Sequence, residues 1–336
     1  MATIMEVAKL AGVSMKTVSR VVNNEDHVRP AMRDRVLAAI AKLDYQPNFA
    51  ARQLAANRSF LIALVMEDML ASYSSQIALA AATECRRLGY HLVSETFTRD
   101  ESGEDVIRRV LTNSRPGGII LTAPHCNDLK IVAPIESSGT PLVRLAGTGE
   151  IYGSKIEVHE HDASAELVTH LIQLGHRRIA MIASPYAHGA ARERLAGYNT
   201  ALADAGIAFD PVLVVEGDFS FASGVAIGRR LLNMPGRPTA IFAANDGMAL
   251  GALAVAHQSG LQVPRDVAIA GFDDSPAARM VYPPLTTVRQ PLQAMARAAV
   301  LNLVGDRNEG VELRHTLLVR GSTTGDPALV LDQVDA

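Results

Sequence analysis

The chain has no tryptophan, only 4% aromatic residues and just two cysteines among its 336 residues. Cys85 and Cys126 stand alone, without the spacing of a metal-binding or redox motif. We therefore expect them to be buried or incidental thiols in a reducing compartment. The low aromatic content does not limit the core, because 48% of the residues are hydrophobic.

Long apolar segments are also missing. The longest candidate, Phe60–Met66, has the length of a strand and is too short to span a bilayer as a helix. The first six residues contain neither a basic segment nor an apolar core of the kind that directs export. These absences predict a cytoplasmic protein without a membrane partner.

Motifs of enzymes are sparse. Gly147-Thr148-Gly149 follows a predicted strand, but Tyr152 stands where a dinucleotide-binding motif needs its third glycine. The chain has no Walker loop and no G-x-S-x-G motif. The segment His159–His161, His-Glu-His, lacks a third ligand for a metal and is expected to be surface loop. The sequence predicts a protein that is not an enzyme and needs no cofactor.

What the chain does contain is an uneven distribution of charge. Its net charge is −3, yet residues 1–58 hold nine Lys and Arg against five Asp and Glu. The remaining residues hold 23 basic against 30 acidic side chains. A basic head on an acidic body concentrates attraction for phosphate at one end, although a segment this short can reach such a balance by chance. A length of 336 residues fits two or three globular units.

The N-terminal residues have the pattern of a first helix. Thr3 and Glu6 form a capping-box pair, which predicts a helix that starts at Ile4. Its apolar face is expected to consist of Val7, Ala8, Leu10 and Ala11. Gly12 then supplies a turn.

A second helix is expected after this turn. Val18, Val21 and Val22 should face inward, which leaves Met15, Lys16, Thr17 and Arg20 outward. A polar, cation-bearing outer face on the second of two short helices is typical of a helix-turn-helix that enters the major groove. An ordinary helical hairpin in a core is the alternative.

Two more helices are predicted before the body. Pro30 suits the first turn of a third helix, in which Val36, Ile40 and Leu43 repeat at helical spacing. Arg29 occupies the capping position and is a poor cap, and Tyr45–Pro47 should end the helix. Asn48 can cap a short segment, Phe49–Ala56, which is too short to be stable alone. An inert linker is the alternative for that segment.

From Phe60 onward, predicted strands and helices alternate. Strands are expected at Leu61–Val65, His91–Val93, Gly118–Leu121, Leu142–Leu145, Ile179–Ile182, Val212–Val215, Thr239–Phe242 and Ala268–Ala270. Helices are expected near 72–88, 101–112, 128–138, 162–174, 191–205, 221–232 and 247–258. Repeated βαβ units imply parallel sheets with helices on both faces. Two runs of similar size predict two lobes with a cleft between them.

The motifs now support a resemblance. The segment V-A-x-x-A-G-V-S-x-x-T-V-S-R-V-V-N, residues 7–23, resembles the DNA-binding head of the lactose-repressor (LacI/GalR) family of bacterial transcriptional regulators. Further matches follow in the family's order, to about residue 320: Y-x-P-N at 45–48, G-H-R-R-I at 175–179, R-L-A-G-Y at 194–198, N-D at 245–246, G-F-D-D at 271–274 and P-P-L-T-T-V at 283–288.

The resemblance implies the fold and its boundaries. It implies a small all-α helix-turn-helix head at 1–47, a hinge helix at 48–58 and a two-lobed α/β body like periplasmic binding proteins at 59–330. Lobe one should comprise about 59–158 plus 289–316, and lobe two about 159–288 plus 317–330. The hinge helix is expected to form on DNA and to insert Leu54 into a base step of the minor groove.

The resemblance also implies the partners. Operator DNA is expected to contact a set of residues spread over the head and hinge: Thr3, Ser14, Met15, Lys16, Thr17, Ser19, Arg20, Asn23, Asn48, Ala51 and Leu54. Related tetramers append leucine heptads, whereas residues 321–336 contain only two leucines together with Gly325 and Pro327. We therefore expect a two-fold homodimer.

A small molecule is the second partner. Ligands of parallel α/β sheets lie beyond the carboxyl ends of strands, and polyhydroxylated ligands need planar hydrogen-bonding groups and an aromatic face. The resemblance assigns the effector to five positions: Arg194, Phe219, Asn245, Asp273 and Gln290. Ser72, Tyr73 and Arg144 are further candidates for contact with the effector.

A purely structural role is the alternative for several polar residues at or near these positions. Asn245 and Asp246 can simply cap the helix that they precede, and Asp274 can merely hold its loop. Arg144 and His161 depart from members that place aspartate near those points. A cation at Arg144 favours an acidic ligand, or it pairs with a neighbouring carboxylate.

The sequence thus predicts a homodimeric repressor of carbohydrate-utilisation genes whose operator affinity changes when a sugar or sugar derivative binds between the lobes. A sugar-binding transport protein on the same body fold is the alternative. The DNA-binding head and the lack of an export signal argue against it.

Overall fold

The computed structural model of the chain describes residues 2–22, 28–45, 59–67, 72–97, 101–185, 189–305 and 313–325. The chain divides into two compact units, a head of residues 1–60 and a body of residues 61–336. The expected contacts of Asn23, Asn48, Ala51 and Leu54 with DNA lie outside the described residues, as do the whole predicted hinge segment and most of the C-terminal segment.

The described part of the head consists of three helices: α1 at Ile4–Ala11, α2 at Met15–Val22 and α3 at Pro30–Leu43. The predicted capping box is confirmed, because the Glu6 amide donates to Thr3 Oγ1 at 3.3 Å and the Thr3 amide donates to Glu6 Oε2 at 2.7 Å. Gly12 takes φ +65° at the turn, a left-handed conformation that suits glycine.

The core of the head takes one fully buried valine from each helix, namely Val7, Val18 and Val36. Leu10 was expected on the apolar face, and that expectation is wrong because 45% of it is exposed. Helical geometry places position 10 about 300° from position 7, at the edge of the buried face, where Ala8 and Ala11 already fill the contact.

The body contains two parallel sheets. The sheet of lobe one has the order β2-β1-β3-β4-β5, and the sheet of lobe two has the order β7-β6-β8-β9. The strands are β1 Leu61–Met66, β2 His91–Thr96, β3 Gly118–Leu121, β4 Leu142–Leu145, β5 Ser154–Ile156, β6 Ile179–Ala183, β7 Val214–Glu216, β8 Ala240–Ala243 and β9 Ala268–Ala270. The central strands are buried on both faces, as parallel strands between layers of helices are.

Helices cover both sheets. The helices of the first run are α4 Ser72–Arg87, α5 Gly103–Arg109 and α6 Leu129–Ser138. The helices of the second run are α7 Glu160–Gln173, α8 Gly189–Asp204, α9 Phe221–Leu232, α10 Asp246–Gln258 and α11 Pro276–Met280. The isolated cysteines are confirmed as buried free thiols, with Cys85 on α4 and Cys126 beneath the first sheet.

The chain passes between the lobes at three segments. The first joins β5 to α7. The other two are the short antiparallel strands β10 Thr287–Arg289 and β11 Thr316–Leu318. Between these strands, α12 Leu292–Val304 packs on α4 and on the sheet of lobe one, and after them α13 Gly321–Thr324 packs on β9 of lobe two.

The structure departs from the predicted elements in a few places. The strand expected from Val212 begins only at Val214, because Pro211–Leu213 form a 3₁₀ turn that Asp210 caps. The helix expected at 101–112 ends at Arg109 and continues as a π-helical turn, Val110–Ser114. Among the described residues, no helix is long and apolar enough to cross a bilayer.

Helices α7 and α8 approach each other closely enough to allow a direct test of packing. A Cβ atom at Gly197 would lie 2.1 Å from the carbonyl oxygen of His161 and 3.0 Å from the Ala165 amide nitrogen. These are backbone atoms that cannot turn aside, so Gly197→Ala should destabilise the body by about 1–3 kcal/mol. Helix propensity alone predicts the opposite sign, a gain of up to about 1 kcal/mol.

Chemical denaturation of the full chain measures this change. Ala196→Gly, at the exposed neighbouring position of the same helix, serves as the control for propensity. A Gly197→Ala variant as stable as the parent would contradict the close approach.

Candidate functional site

The second helix of the head presents a polar outer face. Val18 and Val21 are buried, whereas Ser14 and Lys16 are exposed and 53% of Met15 is exposed. The Thr17 amide donates to Ser14 Oγ at 3.2 Å, so Ser14 caps the start of the helix. Thr17, Ser19 and Arg20 are half-buried, and Thr3 is used as the cap of α1. Met15 and Lys16 are therefore the side chains of α2 that are most available to base edges.

In the body, Arg194 on α8 is the centre of a buried polar cluster. Its Nε donates to Glu160 Oε2 at 2.7 Å, its Nη2 donates to Glu160 Oε1 at 3.2 Å, and its Nη1 donates to the Ala244 carbonyl. The guanidinium carbon lies 3.7 Å from the ring centre of Phe272, a cation–π stack. Burial opposes the charged form, but the Glu160 carboxylate outweighs it and leaves the pKa of Arg194 raised.

Asp273 and Gln290 form the second part of this cluster. Gln290 Nε2 donates to Asp273 Oδ1 at 2.7 Å, and the Asp273 amide donates to the Val288 carbonyl at 2.8 Å. The backbone of Asp273 has φ +121°, a conformation that residues other than glycine rarely adopt. Backbone strain of this kind is often found at functional sites. Burial raises the pKa of Asp273 to about 7, against the lowering effect of Arg194.

Lobe one contributes Tyr73 to the same place. Burial raises the pKa of its phenol, and the charges of Glu160, Arg194 and Asp273 all act on it. The Tyr73 hydroxyl is buried and has no hydrogen-bond partner among the described residues. The structure thus brings together Tyr73, Arg194, Asp273 and Gln290 from the predicted set, and these residues come from both lobes.

Asn245 and Phe219 are used differently. Asn245 Oδ1 accepts the Met248 amide at 2.9 Å. Asn245 therefore caps α10, which is the structural role named above as the alternative to ligand binding. Its Nδ2 donates to the Phe219 carbonyl at 2.9 Å and holds Phe219 at φ +65°. Both side-chain groups of Asn245 are therefore engaged inside lobe two, and Phe219 packs at the edge of that lobe's core.

Asp246 and Asp274 hold the loop that carries Asp273. Asp246 accepts the Ser275 amide and the Thr287 hydroxyl, each at 2.6 Å, and burial raises its pKa to about 6.

Asp274 accepts hydrogen bonds from three arginines: Arg279 at 2.6 Å, Arg289 at 2.8 Å and Arg320 at 2.6 Å. Burial opposes ionisation of Asp274, but these arginines keep its pKa below the usual value. The alternative that Asp274 holds its loop agrees with this geometry.

Arg144, on β4, lies within lobe one. Its Nη1 donates to Asn127 Oδ1 and to the Thr148 carbonyl, both at 2.9 Å, and its Nη2 donates to the Gly149 carbonyl at 3.0 Å. Only 1% of the residue is exposed. These hydrogen bonds hold the loop at 147–149 in place. They account for the buried position of Arg144 without the expected acidic ligand or the expected carboxylate partner. Ser72 starts α4, and its hydroxyl accepts from Gln76 Nε2 at 3.0 Å.

A cavity of about 300 Å³ lies between the lobes beside this cluster. The loop at 146–149 lines it from lobe one, and the first residues of α7 and of α8 line it from lobe two. Glu160 belongs both to the cavity wall and to the Arg194 cluster. The cluster therefore meets this cavity at Glu160, whereas Tyr73, Arg194, Asp273 and Gln290 are not among its lining residues.

Two residues of the cluster were missed in the sequence. The segment His159–His161 is predicted to be surface loop, which holds for the exposed His159 but is wrong for the other two residues. Glu160 starts α7 and is only 3% exposed, and His161 is half-buried in the same helix. His315 is not singled out by the sequence. Its side chain is buried and lies edge-on to Phe272, with 5.6 Å between the two ring centres. Their burial depends on crossover segments that meet from distant parts of the chain, so local sequence offers no direct indication of it.

Comparisons with known proteins agree with this architecture. Residues 3–48 match the family model of bacterial regulatory proteins of the lacI family, and residues 168–324 match the periplasmic binding protein-like domain. The HTH-type transcriptional regulator CelR of Thermobifida fusca is 38% identical over 323 residues, 93% of this chain and 94% of that protein. The lactose operon repressor of Escherichia coli is 34% identical over 332 residues, 97% of this chain and 91% of that protein.

Solved structures give the same result. A lac repressor dimer bound to operator and an anti-inducer matches with a TM-score of 0.80 at 34% identity, covering 96% of this chain and 99% of that one. A CelR–cellobiose complex matches with a TM-score of 0.71 at 36% identity, covering 96% of this chain and 100% of that one.

A helix-turn-helix head on the same chain as a two-lobed body of the binding-protein type defines a DNA-binding transcriptional regulator. The full-length relatives place it more closely. The chain belongs to the LacI family of bacterial transcriptional regulators.

The raised pKa of Asp273 predicts a measurable effect of pH on stability. In the unfolded chain this carboxyl titrates near 4, so between about pH 4 and pH 7 the folded state binds more protons and its stability falls as the pH rises. Asp273→Asn removes this contribution and should flatten the decline of the melting temperature between about pH 4.5 and pH 7.5. Asp246 contributes in the same direction, so part of the slope should remain.

Differential scanning calorimetry of the full chain across this pH range measures the slope. Asp204→Asn, at an exposed position near the end of α8, is the matched control. If the Asp273→Asn variant keeps the parent's slope, the carboxyl is ionised throughout and the assignment of its pKa is wrong.

Proposed function

We propose that the chain represses genes by binding a near-palindromic operator as a homodimer and that a small sugar or sugar derivative, bound between the lobes, changes its operator affinity. The single observation that supports the ligand site best is the buried polar cluster of Tyr73, Arg194, Asp273 and Gln290, because it takes residues from both lobes. A ligand bound there contacts both lobes and so favours one arrangement of them over another.

The domain assignment follows the same proposal. We assign residues 1–47 to DNA binding, 48–58 to the hinge helix and 59–330 to effector binding and dimerisation. Lobe one then comprises about 59–158 plus 289–316, and lobe two about 159–288 plus 317–330. This division agrees with the packing of α12 on the first sheet and of α13 on β9.

On the DNA side, we assign base contacts to Met15 and Lys16 and contacts with the backbone or bases to Thr3, Ser14, Thr17, Ser19, Arg20 and Asn23. Asn48, Ala51 and Leu54 are assigned to the minor groove. On the ligand side, Tyr73, Arg194, Asp273 and Gln290 are assigned direct contacts. Ser72, Arg144, Phe219 and Asn245 are assigned to the walls of the site, where their hydrogen bonds position the loops.

Binding, and not catalysis, is the proposed work of the body. The curated relatives named above are transcriptional regulators, and the CelR structure was solved with cellobiose. Carboxylate, guanidinium and amide groups around an aromatic ring are what a polyhydroxylated ligand needs. Since the proposed partner is operator DNA, we place the protein in the cytoplasm, on the nucleoid when bound.

The ligand arm of the proposal is tested at Asp273. Truncation to alanine leaves ligand hydroxyls and Gln290 without their partner, so Asp273→Ala should weaken ligand binding by about 2–4 kcal/mol. Because coupling is reciprocal, the ligand's effect on operator affinity should shrink at the same ligand concentration. A thermal-shift screen of neutral and acidic sugars first identifies the ligand, and calorimetry and fluorescence anisotropy then measure the two affinities.

Asp204→Ala is the matched control for this experiment. Operator binding without ligand should persist in the Asp273→Ala variant if the ligand is an inducer and should already be weak in the parent if it is a corepressor. If Asp273→Ala binds the ligand as tightly as the parent does, the placement of the site is wrong.

The DNA arm is tested at Lys16. An exposed lysine on this face can donate to guanine O6 and N7, so Lys16→Ala should cost about 1–3 kcal/mol at one base position and relax the choice of base there. Operators selected from a random pool supply the set of single-base variants to be titrated. Lys42→Ala, at an exposed position of α3, is the control. Uniform weakening across all operator variants would show that Lys16 contacts only phosphate.

A further inference from the structure

The charge of Arg194 is already neutralised before any ligand binds. Glu160 accepts two hydrogen bonds from the guanidinium, and the two side chains are only 3% and 7% exposed. A pair buried to this extent is costly to separate, because removal of one partner leaves the other as an uncompensated buried charge. Glu160 is therefore a permanent part of the environment that a ligand meets.

The donors that remain on Arg194 suit hydroxyl groups. A guanidinium carries five N–H bonds, of which Glu160 and the Ala244 carbonyl use three. The two that remain can donate to neutral oxygens without disturbing the ion pair. A carboxylate or phosphate on the ligand would instead have to compete with Glu160, whose own carboxylate repels it.

The other charged group of the cluster adds to this selectivity. Asp273 carries a second carboxyl beside Arg194, so the cluster contains two acidic groups for one guanidinium. Arg144 is the cation for which the sequence suggests an acidic ligand as one interpretation. Its guanidinium donates to Asn127 and to two carbonyls of its own lobe. Arg144 thus stays bound within lobe one, and the Arg194 cluster itself has no excess of positive charge to offer an anionic ligand.

His315 supplies a further polar contact that the ligand assignment has not used. It directly precedes β11, its side chain is 4% exposed, and its Nε2 lies 3.9 Å from Glu160 Oε2. Both ring nitrogens lack a hydrogen-bond partner among the described residues. Burial, together with Arg194, lowers its pKa against the raising effect of Glu160, so the ring is neutral and has one donor and one acceptor. A hydroxyl group, which both donates and accepts, matches such a ring.

We propose that Glu160 and His315 are specificity-determining residues that restrict the effector to neutral polyhydroxylated molecules and exclude sugar acids and sugar phosphates. The proposal rests on the proposed ligand site between the lobes. Glu160 acts by holding the charge of Arg194 neutralised, and His315 acts by hydrogen bonding to a ligand hydroxyl beside Phe272.

The charge selection can be tested without knowledge of the ligand. Glu160→Gln removes the carboxylate that is hydrogen-bonded to Arg194 and leaves Asp273 as the remaining acidic neighbour of the guanidinium, so the variant should acquire affinity for inorganic phosphate. Thermal unfolding of the full chain against phosphate concentration should show a saturable rise in melting temperature, with an apparent affinity at least about tenfold above that of the parent. Glu166→Gln, at an exposed position of the same helix and outside the cavity lining, controls for binding of phosphate elsewhere, including the basic head. Equal phosphate responses in the three proteins overturn the proposal.

A second arm uses the parent chain alone and so does not depend on the folding of a variant. Matched neutral and anionic probes, glucose with glucuronate and cellobiose with cellobionate, are titrated by calorimetry. Tighter binding of the neutral member of each pair supports the proposal, and tighter binding of an anionic member overturns it. If no probe binds, the result counts against the proposed sugar effector, while the phosphate experiment still decides the role of Glu160.

The role of His315 is measured with the neutral probe that binds the parent most tightly. His315→Phe keeps an aromatic ring against Phe272 and removes both ring nitrogens, so affinity should fall at least about tenfold. His315→Gln keeps a donor and an acceptor and should restore part of the loss. His257→Phe, at an exposed position of α10, is the control. An unchanged affinity in His315→Phe, or an equal loss in both variants, excludes hydrogen bonding by this ring.

Discussion

One buried carboxylate, that of Asp274, connects three separate segments of the body. Asp274 accepts hydrogen bonds from Arg279, Arg289 and Arg320, which come from α11, from the end of β10 and from the residue before α13. A buried carboxylate without these cations would carry a large desolvation cost, and each arginine would lose its acceptor. Because two of the three arginines flank crossover segments, this one interaction fixes how those segments enter lobe two. The loop that carries Asp273, and hence the proposed ligand site, depends on it.

The site is a consequence of topology as much as of local sequence. Glu160 directly follows the first crossover segment, Gln290 directly follows β10 and His315 directly precedes β11. The cluster therefore forms where the three crossovers come together. Relative movement of the lobes must therefore change distances within the cluster. A ligand that bridges Tyr73 and lobe two gains binding energy in one arrangement only, which is the differential affinity that a shift of population requires.

Much of this architecture could be predicted from the sequence. The capping pair Thr3–Glu6, the buried strands such as Gly118–Leu121 and the outward face of α2 all depend on residues close together in the chain, where periodicity and cap chemistry decide the structure. Arg194, Asp273 and Gln290 could be singled out through the family's motifs. Glu160 could not, because its neighbours are polar and its burial is decided by Arg194 on another helix. The engagement of Arg144 within its own lobe likewise depends on Asn127 and on a loop whose conformation the sequence does not specify.

The two ends of the protein differ in how freely they can acquire new specificities. In the head, α2 places Val18 and Val21 in the core and Met15 and Lys16 on the opposite side, so the residues assigned to base contacts contribute little to folding. New operator preferences can therefore arise by single exchanges at almost constant stability. In the body, the groups that we propose to select the ligand are themselves buried and paired, so each exchange also alters the fold. We expect descendants of such a protein to diverge quickly in the DNA they recognise and slowly, through coupled substitutions, in the molecule they sense.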